Sequence, residues 1–127
     1  MANQIWEMSA VEAHRLLKEK KLSAREVLES SISRIEEVDN ELNALPERCF
    51  DRARKIADRI DNNPPEGIRN LHGLPIAIKD YNDVSGVKTT YGSPLFKDNI
   101  PKDSDRTIRI LEDNGANCVA KSNVPEW

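Results

Sequence analysis

Two short apolar runs bracket one helical segment in the second half of this chain, and that spacing restricts the fold more than any other feature. Residues 74–78 (LPIAI) are apolar with β-branched members, and residues 117–120 (NCVA) form a second run of the same kind. Between them, Asp103, Ser104 or Asp105 can cap a helix carrying Ile108, Ile110 and Leu111, and Asn114 with Gly115 supplies its left-handed stop. A strand, a helix and a strand of this length predict a parallel pair joined by a right-handed crossover. A buried parallel pair needs helices on its faces, and two strands alone are seldom stable. The chain stops at KSNVPEW directly after the second run, so the sheet reads as unfinished.

The first half supplies the helices. Ser9 with Glu12, and Ser23 with Glu26, have SxxE spacing, which satisfies free backbone donors at a helix start. The first helix extends to about Lys20, with Val11, Ala13, Leu16 and Leu17 apolar. The second carries Val27, Leu28, Ser31, Ile32, Ile35 and Val38 on one stripe and breaks near Asp39 and Asn40. A third has an apolar face of Cys49, Phe50, Ala53, Ile56, Ala57 and Ile60, with Pro46 near its first turn and a loop over 62–70 after it. The predicted class is therefore α/β. Residues 1–62 form a helical layer, and residues 70–127 begin a mixed, mainly parallel sheet.

Composition narrows the partners. Nineteen Lys and Arg against 22 Asp and Glu give a net charge of −3, with the signs interspersed, which argues against nucleic acid and anionic membrane surfaces. No stretch approaches the ~20 apolar residues that span a bilayer, and the start MANQIWEMSAVEAHRLL is not a targeting segment, so a cytoplasmic location is expected. Cys49 and Cys118 form neither a CxxC pair nor a secreted disulfide framework, and both read as reduced, buried small hydrophobes.

Lys79 follows the first apolar run, at the carboxyl end of a parallel strand, where open α/β sheets place ligand sites. Apolar side chains at 75–78 would surround its stem, and desolvation disfavours an ammonium, which would suit a general base; a strand-end lysine reaching into solvent is the competing reading. Asp80, Asn82 and Asp83 read as turn-forming residues that orient the lysine loop, not as metal ligands. Gly73, Gly86 and Gly92 are too sparse for a phosphate cradle, and no cofactor and no metal are expected. His14 and His72 stand beside no Ser or Cys arrangement that would make them general bases.

The segments LHGLPIAIKDYNDVSGVKTTYGS and SDRTIRILEDNGANCVAKSNVPEW, preceded by the helical SAVEAHRLLKEKKLSAREVLESSISRIEEVDNELNA, resemble the amidase signature enzymes over nearly the whole chain. That family hydrolyses carboxamides with a Ser, cis-Ser and Lys triad. The resemblance implies that Lys79 is the catalytic base, taking a proton from a bridging serine that activates the nucleophilic serine. Both serines belong to a later glycine- and serine-rich segment that this sequence does not contain. Ser85 and Ser93 match neither and read as loop residues near the site. At Lys121 the family commonly reads GKTN, and here Ala120 and Ser122 replace the glycine and threonine, a departure that touches the local turn.

The implied substrate is a small-molecule amide, with homo-oligomer formation left open through the unfinished sheet. Membrane-associated fatty acid amide hydrolases usually carry a hydrophobic anchor absent here. The transamidosome component that amidates misacylated tRNA is a nearer rival, although KDYNDVSGVKTTYGS looks more like the broad-specificity amidases. The alternative is a truncated, non-catalytic fragment or subunit that serves as a scaffold or interaction partner.

Overall fold

The computed structural model describes residues 4–64, 66 and 70–125; the expected loop over 62–70 lies partly outside them. After a short 3-10 turn at Ile5–Glu7, helix α1 spans Ala10–Lys18 and α2 spans Ala24–Leu42. The Ser9 hydroxyl accepts the Glu12 N–H at 3.2 Å. At Ser23 both halves of the capping box form: Ser23 Oγ accepts the Glu26 N–H at 3.1 Å, and Glu26 accepts the Ser23 N–H at 2.8 Å.

Helix α2 runs beyond the expected break at Asp39, ending at Asn43 with a left-handed φ of 52°. Asp39 does not stop the helix because its side chain turns inward and organises the exit. Its buried carboxylate accepts the N–H groups of Ala44 (2.8 Å) and Leu45 (3.1 Å) and a guanidinium bond from Arg48 (3.2 Å).

The chain then forms a strand that the sequence pattern does not reveal. Strand β1, Glu47–Arg48, lies where Pro46 is expected to open the third helix. Helix α3 spans Phe50–Asn62 with Cys49 in its cap position. Strand β2 (Pro75–Lys79), helix α4 (Arg106–Asp113) and strand β3 (Asn117–Ser122) complete the order. The sheet order is β1-β3-β2. Strands β2 and β3 are parallel, from Pro75↔Asn117 to Lys79↔Ser122, with an irregularity between Ile76 and Ala77. Strand β1 is antiparallel to β3, with Glu47 opposite Lys121 and Arg48 opposite Ala120. The architecture is α/β: the parallel β2–β3 pair is the one the spacing predicts, and the antiparallel β1 makes the sheet mixed, with β3 as its central strand.

Two apolar clusters hold the layers together. In the first, Leu17, Val27, Leu28, Ile32 and Ile60 pack with Val119 and Ala120 of β3. Leu28 and Ile32 are almost fully enclosed, each worth about 2–3 kcal/mol in transfer terms. Ala24, Ala53 and Ala57 are fully buried, and such small side chains let helix and backbone approach closely. Gly73 shows how close: a Cβ there would stand 2.6 Å from Ala24 Cβ. The second cluster, Ile78, Val84, Val87, Ile108 and Cys118, joins the sheet to α4 and to the loop after β2. Among the described residues no helix is long and apolar enough to cross a membrane.

Candidate active site

Lys79 is the last residue of β2, level with Ser122 at the end of β3. Strand alternation turns Ile78 into the second cluster and leaves Ala77 and Lys79 exposed on the other face. The expected apolar sheath around the lysine stem is therefore absent, because a continuous apolar run buries both strand faces only where both are covered. Lys79 Nζ lies 5.0 Å from the centroid of the Tyr81 ring, and the Tyr81 hydroxyl donates to the Pro125 carbonyl at 2.8 Å.

The backbone carrying Lys79 is held firmly. Asp80 N–H donates to the Ser122 carbonyl at 3.1 Å, Asn82 N–H to the Lys79 carbonyl at 2.9 Å, and Tyr91 N–H to the Asp80 carbonyl at 3.1 Å. The Asp80 carboxylate is buried and accepts from Thr90 Oγ1 at 2.6 Å and from Thr90 N–H at 3.2 Å. Its charge partner is Lys121, whose side chain is 0% exposed. Lys121 Nζ reaches Asp80 Oδ1 at 3.0 Å, the Asn82 carbonyl at 2.8 Å and Thr89 Oγ1 at 2.8 Å. Three acceptors match the three donors of an ammonium, which is the condition for burying one.

Sequence reasoning brings Lys121 to notice only through the family's GKTN run, and its burial against Asp80 goes unread. A signal for it exists: a lysine continuing an apolar strand must find acceptors if that strand is central, and Asp80 leaves the neighbouring strand beside it. Ending the second strand at Ala120, as the apolar run suggests, places Lys121 in a turn instead.

The acidic residues after Lys79 shape the loop, as their types predict. Asp105, at the cap position of α4, accepts the Asp83 N–H at 3.0 Å and the Asn82 side-chain amide at 3.2 Å. The Tyr91 hydroxyl donates to Asp83 at 2.6 Å, and this bond, then burial, pushes the phenol above its ordinary value. Ser85 Oγ donates to the Lys102 carbonyl at 2.8 Å, and Ser93 Oγ accepts the Leu95 N–H, so both serines stabilise turns. The His14 and His72 rings meet at a tilt of 52°, with centroids 5.3 Å apart. Burial, then the charges of His14 and Lys18, holds the His72 imidazole below its usual value. Among the described residues no group of three or more His, Cys, Asp or Glu could hold a metal ion. A cavity of about 920 Å³ lies between α3 and α4, lined by Arg52, Lys55, Arg59, Glu112 and Asp113, and does not include Lys79.

The family model described as Amidase matches residues 26–127. A glutamyl-tRNA(Gln) amidotransferase subunit of Dehalococcoides mccartyi is 31% identical over 121 residues, which cover 94% of this chain and 25% of that protein. Native peptide amidase from Stenotrophomonas maltophilia superposes with a TM-score of 0.86 at 27% identity, covering 95% of this chain and 26% of its own. An amidase family protein from Bacillus anthracis str. Ames gives 0.85 at 25% identity, covering 97% and 25%. The chain thus spans about a quarter of the length of the curated relatives it matches. With the parallel β2–α4–β3 unit, the Lys79–Asp80 pair at its strand end and a family match over most of its length, this chain belongs to the Amidase family, the amidase signature enzymes, as their amino-terminal part.

Proposed function

We propose that this chain forms the amino-terminal part of an enzyme that hydrolyses carboxamide C–N bonds through a Ser, cis-Ser and Lys triad, with Lys79 as its base. Residues 1–62 supply the helical layer and residues 70–127 begin the catalytic α/β core. The observation that carries this reading is the position of Lys79: an accessible amine at the carboxyl end of a parallel strand, on backbone fixed from both sides. A positioned amine of this kind takes a proton from a bridging serine, that serine draws the proton of the nucleophile, and the amine returns it to the leaving nitrogen. The serines and the oxyanion donors would come from a segment outside these 127 residues.

A second reading is favoured by the similarity to a glutamyl-tRNA(Gln) amidotransferase: the chain belongs to an amidotransferase of that kind instead of a free-standing amidase.

The test is a chimera in which this chain replaces the matching amino-terminal quarter of the Stenotrophomonas maltophilia peptide amidase, assayed on a simple carboxamide and on glutamine. Lys79→Ala should lower the chemical rate by at least ~100-fold with the fold intact. Lys79→Arg should not rescue it, because a guanidinium stays protonated at any usable pH. Full activity in either variant would remove Lys79 from the mechanism.

A further inference from the structure

Cys49 and Cys118 lie 69 positions apart in the sequence, yet their sulfurs are 3.8 Å apart. The fold builds this approach from two elements. Cys49 continues β1 and donates its N–H to the Val119 carbonyl at 3.1 Å, which sets it beside the middle of β3. Its thiol also reaches the Cys118 carbonyl at 3.3 Å. Cys118 is fully buried, with its thiol 3.6 Å from the Ala120 carbonyl, whereas Cys49 is partly accessible. Both are free thiols.

The surroundings divide the two roles. Cys49 occupies the cap position of the 13-residue α3, where unpaired helix N–H groups favour a negative charge. Arg52 sits one turn on, held to Glu112 at 2.7 Å, and its Nη1 is buried without a partner among the described residues. The hydrogen bond from Cys118 lowers the Cys49 thiol below its ordinary value against the opposing effect of burial, and the Arg52 charge assists. The same bond and burial push Cys118 up. Cys49, partly accessible at the cap of α3, is therefore the thiol a reagent from solvent meets first, and the buried Cys118 lies behind it.

We propose that Cys49 and Cys118 are a redox-active modification site, at which a hydroperoxide is reduced by Cys49, the attacking thiol, and Cys118, the resolving thiol, and the two close into a reversible disulfide joining the start of α3 to the first half of β3. The Cys49 thiolate attacks the peroxide; an S–O bond forms, the O–O bond breaks, and the departing alkoxide or hydroxide takes a proton. The Cys118 sulfur then attacks the sulfenic sulfur. The S–S bond forms, the S–O bond breaks, and hydroxide leaves with the thiol proton as water. Two thiols supply the two electrons that the peroxide accepts. Closure draws the sulfurs from 3.8 Å to about 2.05 Å across neighbouring backbone segments. Lys121 lies three residues beyond Cys118 on the same strand, so the link bears on the strand that anchors the Lys79 loop.

The experiment treats the 127-residue chain with near-stoichiometric hydrogen peroxide, native and in guanidinium, followed by intact mass, thiol alkylation and peptide mapping. The native chain should lose about 2 Da and both alkylatable thiols, yield one linked peptide pair containing Cys49 and Cys118, and recover with dithiothreitol. In guanidinium the link should form at least ~10-fold more slowly, because a long loop must then close by chance. With Cys118→Ser, Cys49 should be trapped as a sulfenic acid by dimedone, and with Cys49→Ser, Cys118 should stay unmodified. Should circular dichroism show either variant unfolded, the native and denatured rates of the parent chain decide alone. Two thiols surviving in the native chain, links between chains, or equal rates in the two states would each overturn the proposal. None of these outcomes depends on amide hydrolysis.

Discussion

Replacing Lys121 by Met keeps an unbranched side chain of similar length and removes only the ammonium, so it isolates what the buried charge does. The Lys121 and Asp80 side chains are 0% and 6% exposed, against 38% and 66% for the helical surface pair Arg34–Glu37. A surface pair is worth about 0–1 kcal/mol, whereas removing one partner of a buried pair costs about 3–5 kcal/mol through the charge left behind. Asp80 keeps its bonds from Thr90, which places the expected loss at the lower end, near ~3 kcal/mol. That is a substantial share of the ~5–15 kcal/mol that stabilises an ordinary domain. With a urea dependence of about 1–3 kcal/mol per molar, the unfolding midpoint should fall by roughly 1–3 M.

Urea titration followed by circular dichroism gives the size of the effect, and amide exchange gives its place. The Thr90 N–H bonds the Asp80 carboxylate and the Tyr91 N–H bonds the Asp80 carbonyl, so these two amides should lose protection first. A cycle with Asp80→Asn and the double variant should show a coupling of at least ~2 kcal/mol. A Lys121→Met chain within about 1 kcal/mol of the parent, with Thr90 and Tyr91 as protected as before, would refute the claim that this ammonium holds the loop.

Gly73→Ala should cost more than ~2 kcal/mol, since the added Cβ meets Ala24 at 2.6 Å on backbone with φ +86°. Gly86→Ala, at φ +73° with open space around it, should cost only about 1 kcal/mol, and equal losses by thermal unfolding would contradict the close approach. For Asp39, burial alone raises the carboxyl, but bonds from the Ala44 amide, the Arg48 guanidinium and the Leu45 amide outweigh it and hold the group below its ordinary value. A depressed folded-state value stabilises the chain above the unfolded value of about 3.9, and that contribution is lost as pH falls through the folded one. Acid titration should therefore show Asp39→Asn losing less stability than the parent below pH ~4; parallel curves would exclude the linkage. The isolated 127-residue chain should hydrolyse no amide above background, because it lacks the serine segment; turnover abolished by Lys79→Ala would refute this.

The elements that the sequence makes legible are those specified by neighbours close in the chain. Ser9 and Ser23 mark helix starts, the 3.6-residue stripes of α2 and α3 mark their buried faces, and the β2–α4–β3 spacing marks a parallel pair, whereas in α1 the expected stripe holds for Ala13 and Leu17 but leaves Val11 exposed. What escapes depends on distant partners. A two-residue strand has no periodicity to read, and β1 exists only because Glu47 and Arg48 meet β3. Asp39 resembles a helix breaker until the amides of Ala44 and Leu45 are placed around it. The Cys49–Cys118 approach follows from β1 and is illegible for the same reason. For the candidate site, Lys79 at a strand end can be read from the run LPIAIKD, but its exposure cannot, because a run of apolar residues does not say which face is covered.

The two lysines stand in opposite environments. Lys121 is buried, fully bonded and fixed, and it reaches Asp80 and the Asn82 carbonyl on the segment that begins at Lys79. Lys79 is exposed, and its ammonium lies over the face of Tyr81. Precision in an active site comes from elements whose geometry is set before the substrate arrives, and a misplacement of about 1 Å can cost ~100-fold in rate. A lysine side chain alone, on a flexible four-carbon stem, supplies no such precision. Under the proposed function the buried pair therefore sets where the stem of Lys79 begins, and the mobile part is confined to the side chain, which must leave Tyr81 to come within ~2.6–3.2 Å of a serine hydroxyl. The cost of burying Lys121 is reasonable on this argument, because an apolar residue at 121 would pack the core and leave the Asp80 turn without its anchor.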